Sequence, residues 1–407
     1  MSSSSPPQGA LSHNRLLLIC GTGWLFDAMD VGLLSFVLAA LRQEWSLTAA
    51  QLGLIGGVNS IGMAVGAFVF GLYADRRGRK SAFMLTLLLF SLASGLSAFA
   101  WGLGSLLVLR FLIGMGLGGE LPVASTLVSE SVSPQVRGRV VVLLESFWAL
   151  GWLLAALIAY FLIPLPGFGW RGAMLLCALP ALYALYLRRR LPDSPHYTGL
   201  STAEKRTSFA GKLALLWSRE FRRASTMLWI VWFCVVFSYY GMFLWLPSVL
   251  MMKGFGMVQS FGYVLVMTLA QLPGYLSVAW LIERVGRRWV LAIYLLGTLV
   301  SAGLFGIADS VAQLLLSGCL LSFFNLGAWG ALYAYTPEQY PTRARATGAG
   351  VAASIGRIGG IFGPLTVGWL AAAGVSIAII FAVFAAAILL AVIAIAILGK
   401  ETRQTAL

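Results

Sequence analysis

The chain has 407 residues, of which 59% are hydrophobic and only 10% charged, and it carries a formal net charge of +14 with a mean hydropathy of +0.88. No water-facing globular surface can be built from that composition, so a soluble enzyme or regulatory domain is excluded and an integral membrane protein is expected. Nucleic-acid binding, a common reading of so basic a chain, is not needed, because the positions of the cations account for the charge.

In chain order, residues 1–14 read as a disordered Ser/Pro-rich tail. No cleavable signal is visible, since the first apolar segment is too long and carries two acids. Twelve apolar stretches follow, each near the ~20 residues that cross a bilayer as a helix. They run over 15–41, 50–73, 81–101, 104–131, 139–165, 170–188, 225–252, 258–281, 289–308, 311–336, 347–370 and 375–398. They are too long and uninterrupted for barrel strands, so the need to satisfy backbone hydrogen bonds in hydrocarbon makes them helices. The expected fold is an all-α membrane protein of twelve spans: a six-helix bundle over 15–188, a basic linker over 189–224, a second six-helix bundle over 225–398 and a tail over 399–407.

Of the 28 Lys and Arg, 23 fall at the N-terminal end, in the loops after spans 2, 4, 6, 8 and 10, or at the C-terminal end. The opposite loops hold only Arg42, Arg171 and Lys253, and Arg110 and Arg357 lie within spans. The positive-inside bias therefore predicts a multi-pass protein of the inner (plasma) membrane with both termini cytoplasmic, its linker lying along anionic lipid. Cys20, Cys177, Cys234 and Cys319 sit in apolar spans without metal-ligand spacing and read as packing thiols.

A cationic turn occurs twice: Asp75, Arg76, Gly78, Arg79 and Lys80 recur 208 positions later as Glu283, Arg284, Gly286, Arg287 and Arg288. The same offset carries Glu130 and Arg137 onto Glu338 and Arg345, Gly151 onto Gly359 and Asp193 onto Glu401. One spacing at several separate places means a duplicated half-molecule, and twin membrane bundles are how secondary transporters build a midplane site. The turn Gly71-Leu-Tyr-Ala-Asp75-Arg76-Arg77-Gly78-Arg79-Lys80, with its weaker copy and twelve spans, resembles the major facilitator superfamily over nearly the whole chain. Arg110 to Gly114, Pro192 to Pro195 and Pro337 to Gly348 resemble its sugar-porter and organic-ion branch. The stretches Gly23 to Gly32, Gly118 to Ser125 and Phe237 to Pro247 are similar to bacterial nicotinate (niacin) permeases.

Ionisable groups within spans are expensive, so each calls for a partner, a wet cavity or a function. Arg357 lies among Gly356, Gly359, Gly360 and Gly363, which leave room beside its guanidinium. A guanidinium grips a carboxylate through two parallel hydrogen bonds and stays charged, which suits an anchor for a small acid; the alternative is an arginine paired with helix carbonyls or a neighbouring acid. The resemblance to organic-anion transporters implies the first. Asp27 and Asp30, three residues apart, share a helix face, and two close carboxylates in low dielectric form a group able to carry a proton. The spacing resembles the Asp-Gly-x-Asp motif of aromatic-acid/proton symporters, with Ala28 in place of glycine, and Asp30 and Arg110 resemble a pair in sugar/proton symporters. A purely structural Asp30–Arg110 bridge is the other reading. Glu120 and Glu145 stand equally as second proton sites or as partners for an arginine. For a flat ring, Tyr240, Trp148, Asn325 and Trp329 are singled out, with Gln271 beside Pro273 as a further polar contact. The Gly114-Met-Gly116-Leu-Gly118-Gly119 run imitates a dinucleotide fingerprint, but inside an apolar span it reads as a helix crossing.

Together with these residues, the resemblance implies a transporter that imports nicotinate with a proton by alternating access. Its partners would be a small aromatic carboxylate, protons and membrane lipids. It would work as a monomer and bind no nucleic acid, metal or cofactor, and no catalytic constellation marks an enzyme. Asp75, Arg79, Glu130 and Arg137, with Glu283, Arg287, Glu338 and Arg345, are expected to latch the two bundles on the cytoplasmic side in the outward-facing state. Alternatives are a symporter for benzoate or hydroxybenzoate, a drug/proton exporter and a non-transporting membrane sensor. The span-5 Gly151-Trp152 region lacks the Gly-Pro signature of exporters, and the tails are short for a sensor.

Overall fold

The computed structural model describes residues 13–77, 79–131, 137–190, 216–340 and 342–402. Helices α1 (His13–Glu44), α2 (Ala49–Arg77), α3 (Arg79–Ser97), α4 (Leu103–Ser131) and α5 (Arg137–Phe161) form the first five spans. The sixth is α6 (Gly169–Leu176) and α7 (Pro180–Arg190); the seventh is α8 (Arg222–Phe243) and α9 (Leu246–Met252); the eighth is α10 (Met257–Leu269) and α11 (Gln271–Leu281). Helices α12 (Arg287–Gly306), α13 (Val311–Glu338), α14 (Thr342–Ala372) and α15 (Ile377–Leu398) complete the twelve.

The sequence predicts unbroken helices for spans 6, 7 and 8, and the structure divides each of them. Proline is the cause, because its ring clashes with the carbonyl four residues earlier and it has no N–H to donate. Pro180, Pro247 and Pro273 stand four residues after Leu176, Phe243 and Leu269, which are the last residues of α6, α8 and α10. Starts are set locally too. Thr48 and Gln51 cap α2 reciprocally, with the Thr48 N–H donating to Gln51 Oε1 at 2.9 Å, and Ser310 and Gln313 form a capping box on α13.

The first half packs α2 and α3 on α4 and α1 on α5; the second packs α11 and α12 on α13 and α8 on α14. Contacts between glycines and their neighbours repeat with the 208-residue offset. Gly66 abuts Met115 as Gly274 abuts Phe323, and Gly119 abuts Phe70 and Thr86 as Gly327 abuts Val278 and Tyr294. Gly151 abuts Leu25 and Met29 as Gly359 abuts Phe233 and Phe237. The glycine run of α4 does make a helix crossing, with Gly114 against Asn59 and Gly118 against Met63 of α2.

Two seams join the halves, α2 on α14 and α5 on α10 and α11. At the cation-poor end the first seam is bare backbone. A Cβ on Gly53 would lie 2.8 Å from the Pro364 carbonyl and 3.1 Å from Gly368 Cα, and one on Gly368 would lie 2.8 Å from the Ala49 carbonyl. Along this seam the two halves are in backbone contact at that end.

Candidate functional site

Arg357 is brought to the midline by the fit of α14 on α8. Side chains at Gly356 would meet Trp232 and Val236 at 3.0 Å, and Gly359 and Gly363 lie against the backbone at Phe233 and Phe237. With α14 seated that closely, its half-buried Arg357 crosses toward the other half. Nη1 lies 3.4 Å from Tyr240 Oη, to which it donates, and 3.7 Å from Met63 Sδ on α2. Tyr240 Oη is itself 3.8 Å from Met63 Sδ. The guanidinium therefore stands between the halves and not against lipid.

Across from it is Glu145 of α5, 1% exposed. The indoles of Trp24 and Trp329 flank its carboxyl group, and Arg357, Tyr275 and Tyr333 are within electrostatic reach. Oε2 accepts no hydrogen bond among the described residues. Around this pair runs an aromatic wall drawn from both halves. Trp148 lies 5.0 Å from Trp24 and 6.4 Å from Trp329, in the latter case nearly parallel at 16°. Trp148 Nε1 donates to Tyr239 Oη at 2.7 Å, and Tyr239 is 4.9 Å from Trp329. Such centroid spacings are those of attractive ring pairs.

Asn325, Gln271 and Tyr275 are buried on α13 and α11. Both amide atoms of Asn325 and of Gln271, and the Tyr275 hydroxyl, have no hydrogen-bond partner among the described residues. Each such group costs about 1–3 kcal/mol when left unpaired. A buried cluster rich in such groups is chemically prepared for a polar ligand.

The intramembrane acids of α1 divide between two environments. Asp30 Oδ1 accepts from Ser94 Oγ at 2.5 Å, and its Oδ2 is 3.5 Å from Arg110 Nη1, the two side chains being 1% and 0% exposed. Arg110 Nη2 also contacts Met174 Sδ at 2.9 Å, and Cys177 lies beside both charges. This pair is sealed among α1, α3, α4 and α6 of the first half. Asp27, also buried, is within electrostatic reach of Tyr240 and so belongs to the central region. Glu120 lies on α4, and its side chain is outside the described residues.

The latch residues are described only in the second half, and there they tie that half to itself. Arg287 makes two 3.0 Å hydrogen bonds to Glu283 and an ion pair at 3.2 Å with Glu338. Glu401 accepts from the backbone N–H groups of Arg287 and Arg288 at 2.9 and 3.2 Å, and Thr402 Oγ1 donates to Glu338 at 2.6 Å. The side chains of Asp75, Arg79, Glu130, Arg137 and Arg345 lie outside the described residues.

Met63, Tyr275 and Trp24 stand in this central cluster and were not singled out by sequence reasoning. A signal existed for Met63, because the 208-residue offset carries it onto Gln271.

Two six-helix halves around a central cluster of buried charges and rings are the architecture of a multi-pass membrane transporter. The sequence pattern of the Major Facilitator Superfamily matches residues 21–274 and 259–406, and the chain belongs to that family. It is 65% identical over 400 residues to the putative niacin/nicotinamide transporter NiaP of Bacillus subtilis, covering 98% of this chain and 99% of that one. It is 48% identical over 417 residues to the niacin transporter NiaP of Acinetobacter baylyi, covering 96% and 94%. Among solved structures, a D-xylose–proton symporter superposes with a TM-score of 0.79 at 17% identity, covering 97% of this chain and all of that one. The human organic anion transporter MFSD10 gives 0.75 at 20% identity, covering 96% and 100%. At those identities the structural likeness speaks for the fold.

Proposed function

We propose that this protein imports nicotinate together with a proton across the inner membrane by alternating access, with both termini in the cytoplasm. The observation that carries the reading is Arg357, held by Tyr240 and Met63 at the meeting of the two halves inside an aromatic wall. A fixed cation takes the carboxylate, and Trp148, Trp329 and Tyr240 take the ring. The names of the two NiaP relatives support the choice of cargo.

The coupling logic is electrostatic. An empty site leaves Arg357 facing Glu145 across low dielectric, and the substrate carboxylate competes with that acid for the guanidinium. A proton on Glu145 removes the competitor and neutralises the second charge, so one anion and one proton load the site together without net charge. We assign the moving proton to Glu145 in preference to Asp30, because Asp30 already has a cation and a hydroxyl donor while Glu145 has no ion pair among the described residues. Asp27 stands next to this centre as a second carboxyl group. The loaded carrier is then the species that can close over its site and rock. The cytoplasmic turns latch the opposite state.

The test is uptake of radiolabelled nicotinate in cells that lack their own niacin uptake. Losing a charge-assisted bidentate contact is worth about 1.5–3 kcal/mol, or roughly 10- to 100-fold. Arg357→Lys should therefore reduce uptake by that factor or more at normal surface expression. Uptake near the parent level would reject the anchor. In the parent, benzoate should compete more weakly than unlabelled nicotinate; equal competition would favour a general aromatic-acid symporter.

A further inference from the structure

We infer that Gln271 and Asn325 form a neutral hydrogen-bonding subsite that reads the ring nitrogen of the cargo, at the end of the site opposite Arg357. The inference rests on the nicotinate reading above and adds to it the group that separates nicotinate from benzoate.

Both side chains are 0% exposed, and all four of their amide atoms lack partners among the described residues. The helices that carry them, α11 and α13, cross where Gly274 meets Phe323. Gln271 lies three residues before that glycine and Asn325 two residues after that phenylalanine. Both belong to helix faces that lead into the site. One turn on from Gln271 is Tyr275, within electrostatic reach of Glu145, and one turn on from Asn325 is Trp329, beside the same carboxyl group.

The internal repeat locates Gln271 independently. Met63 on α2 meets Arg357 on α14, and the residues related to these two by the 208-residue offset are Gln271 and Ala149. Since α11 packs on α5 as α2 packs on α14, the repeat predicts that Gln271 is directed toward α5, on the other seam. The site thus has a cationic end on the α2–α14 seam and a carboxamide end on the α5–α11 seam.

The chemistry of the two ends is complementary to a pyridine carboxylate. A pyridine nitrogen has one in-plane lone pair and no proton, so it needs a donor, and the carboxamide NH2 groups supply four N–H bonds. Benzoate presents a C–H at that place and would leave the amide unpaired and buried, which is the arrangement by which polar sites reject an isostere. Nicotinamide satisfies the carboxamide end and offers Arg357 a neutral carbonyl acceptor, a weaker partner than a carboxylate.

The experiment uses the purified full chain in lipid nanodiscs and equilibrium binding of nicotinate and benzoate, read by displacement of tritiated nicotinate. Asn325→Leu keeps side-chain size, and Gln271→Met installs the residue found at the repeat-related position, so each variant is expected to fold. In each, nicotinate affinity should fall about tenfold while benzoate affinity stays within about twofold of the parent, so that the preference collapses by about tenfold. A parallel loss of both ligands, or an unchanged preference, overturns the subsite and leaves the transport reading intact. Absence of saturable nicotinate binding by the parent chain overturns both.

Discussion

Replacing Asp30 by asparagine separates two roles that one carboxylate can play in this fold. Asp30 and Arg110 are 1% and 0% exposed, with 3.5 Å between Oδ2 and Nη1. Asparagine can still accept from Ser94, so the change removes the countercharge while keeping the 2.5 Å hydroxyl contact available. Arg110 would then be a buried cation left with the thioether of Met174 and no carboxylate. Removing one member of a buried pair costs about 3–5 kcal/mol, because the other charge stays desolvated and uncompensated. Replacing both members by uncharged groups of similar size, as in Asp30→Asn combined with Arg110→Met, avoids that penalty, so the double variant should be more stable than the single one. The assay is the temperature at which detergent-solubilised protein loses its monodisperse peak in size-exclusion chromatography. The single variant should aggregate well below the parent, and the double variant should recover most of the difference. If Asp30→Asn is as stable as the parent yet no longer concentrates nicotinate under a pH gradient, the bridge is not structural. Asp30 is then the proton carrier.

Glu145→Gln mimics the protonated acid permanently. Nicotinate uptake by the parent should rise as external pH is lowered, and in this variant that dependence should flatten while exchange of internal for external nicotinate continues; an unchanged pH profile would remove Glu145 from the coupling. Gly53→Leu puts a side chain where even a Cβ would meet the Pro364 carbonyl at 2.8 Å, so the cation-poor end could no longer close. Cysteine-accessibility labelling at that end should increase and uptake should fall severalfold, whereas normal uptake would show that the α2–α14 backbone contact is dispensable.

The twelve spans were legible because the physics that specifies them is one-dimensional: about 20 apolar residues and backbone groups with no water to turn to. The breaks in spans 6, 7 and 8 were also written in the chain, at Pro180, Pro247 and Pro273, but only as a local veto that acts four residues upstream, which hydropathy does not register. Arg357 was legible as a cation without a reason to be in hydrocarbon. Its neighbours were not, since Tyr240 is 117 positions away and Met63 is 294 away in the sequence. Asp27 and Asp30 share a helix face by spacing alone, yet the first lies near Tyr240 and the second is held by Ser94 and Arg110. Helix periodicity fixes direction to within a face and leaves the choice of neighbour to tertiary packing.

The duplication and the site obey opposite rules. Apart from the charged turns, the repeat is kept in contacts that require the absence of a side chain: Gly66 and Gly274, Gly119 and Gly327, Gly151 and Gly359 meet equivalent neighbours in the two halves. Close backbone approach is a symmetric demand, because both bundles must pack the same way to rock about one centre. Where the cargo would touch, the repeat has been abandoned. Arg357 corresponds to Ala149, Glu145 to Ala353, Trp148 to Gly356, Asn325 to Leu117 and Gln271 to Met63. A ligand with an anion at one end and a ring nitrogen at the other has no twofold axis, so a symmetric chamber could satisfy only one end of it. The proposed subsites meet that demand by drawing the charge and the carboxamides from opposite seams. In the proposed alternating-access cycle, the glycines that carry no chemistry would let those seams open in turn.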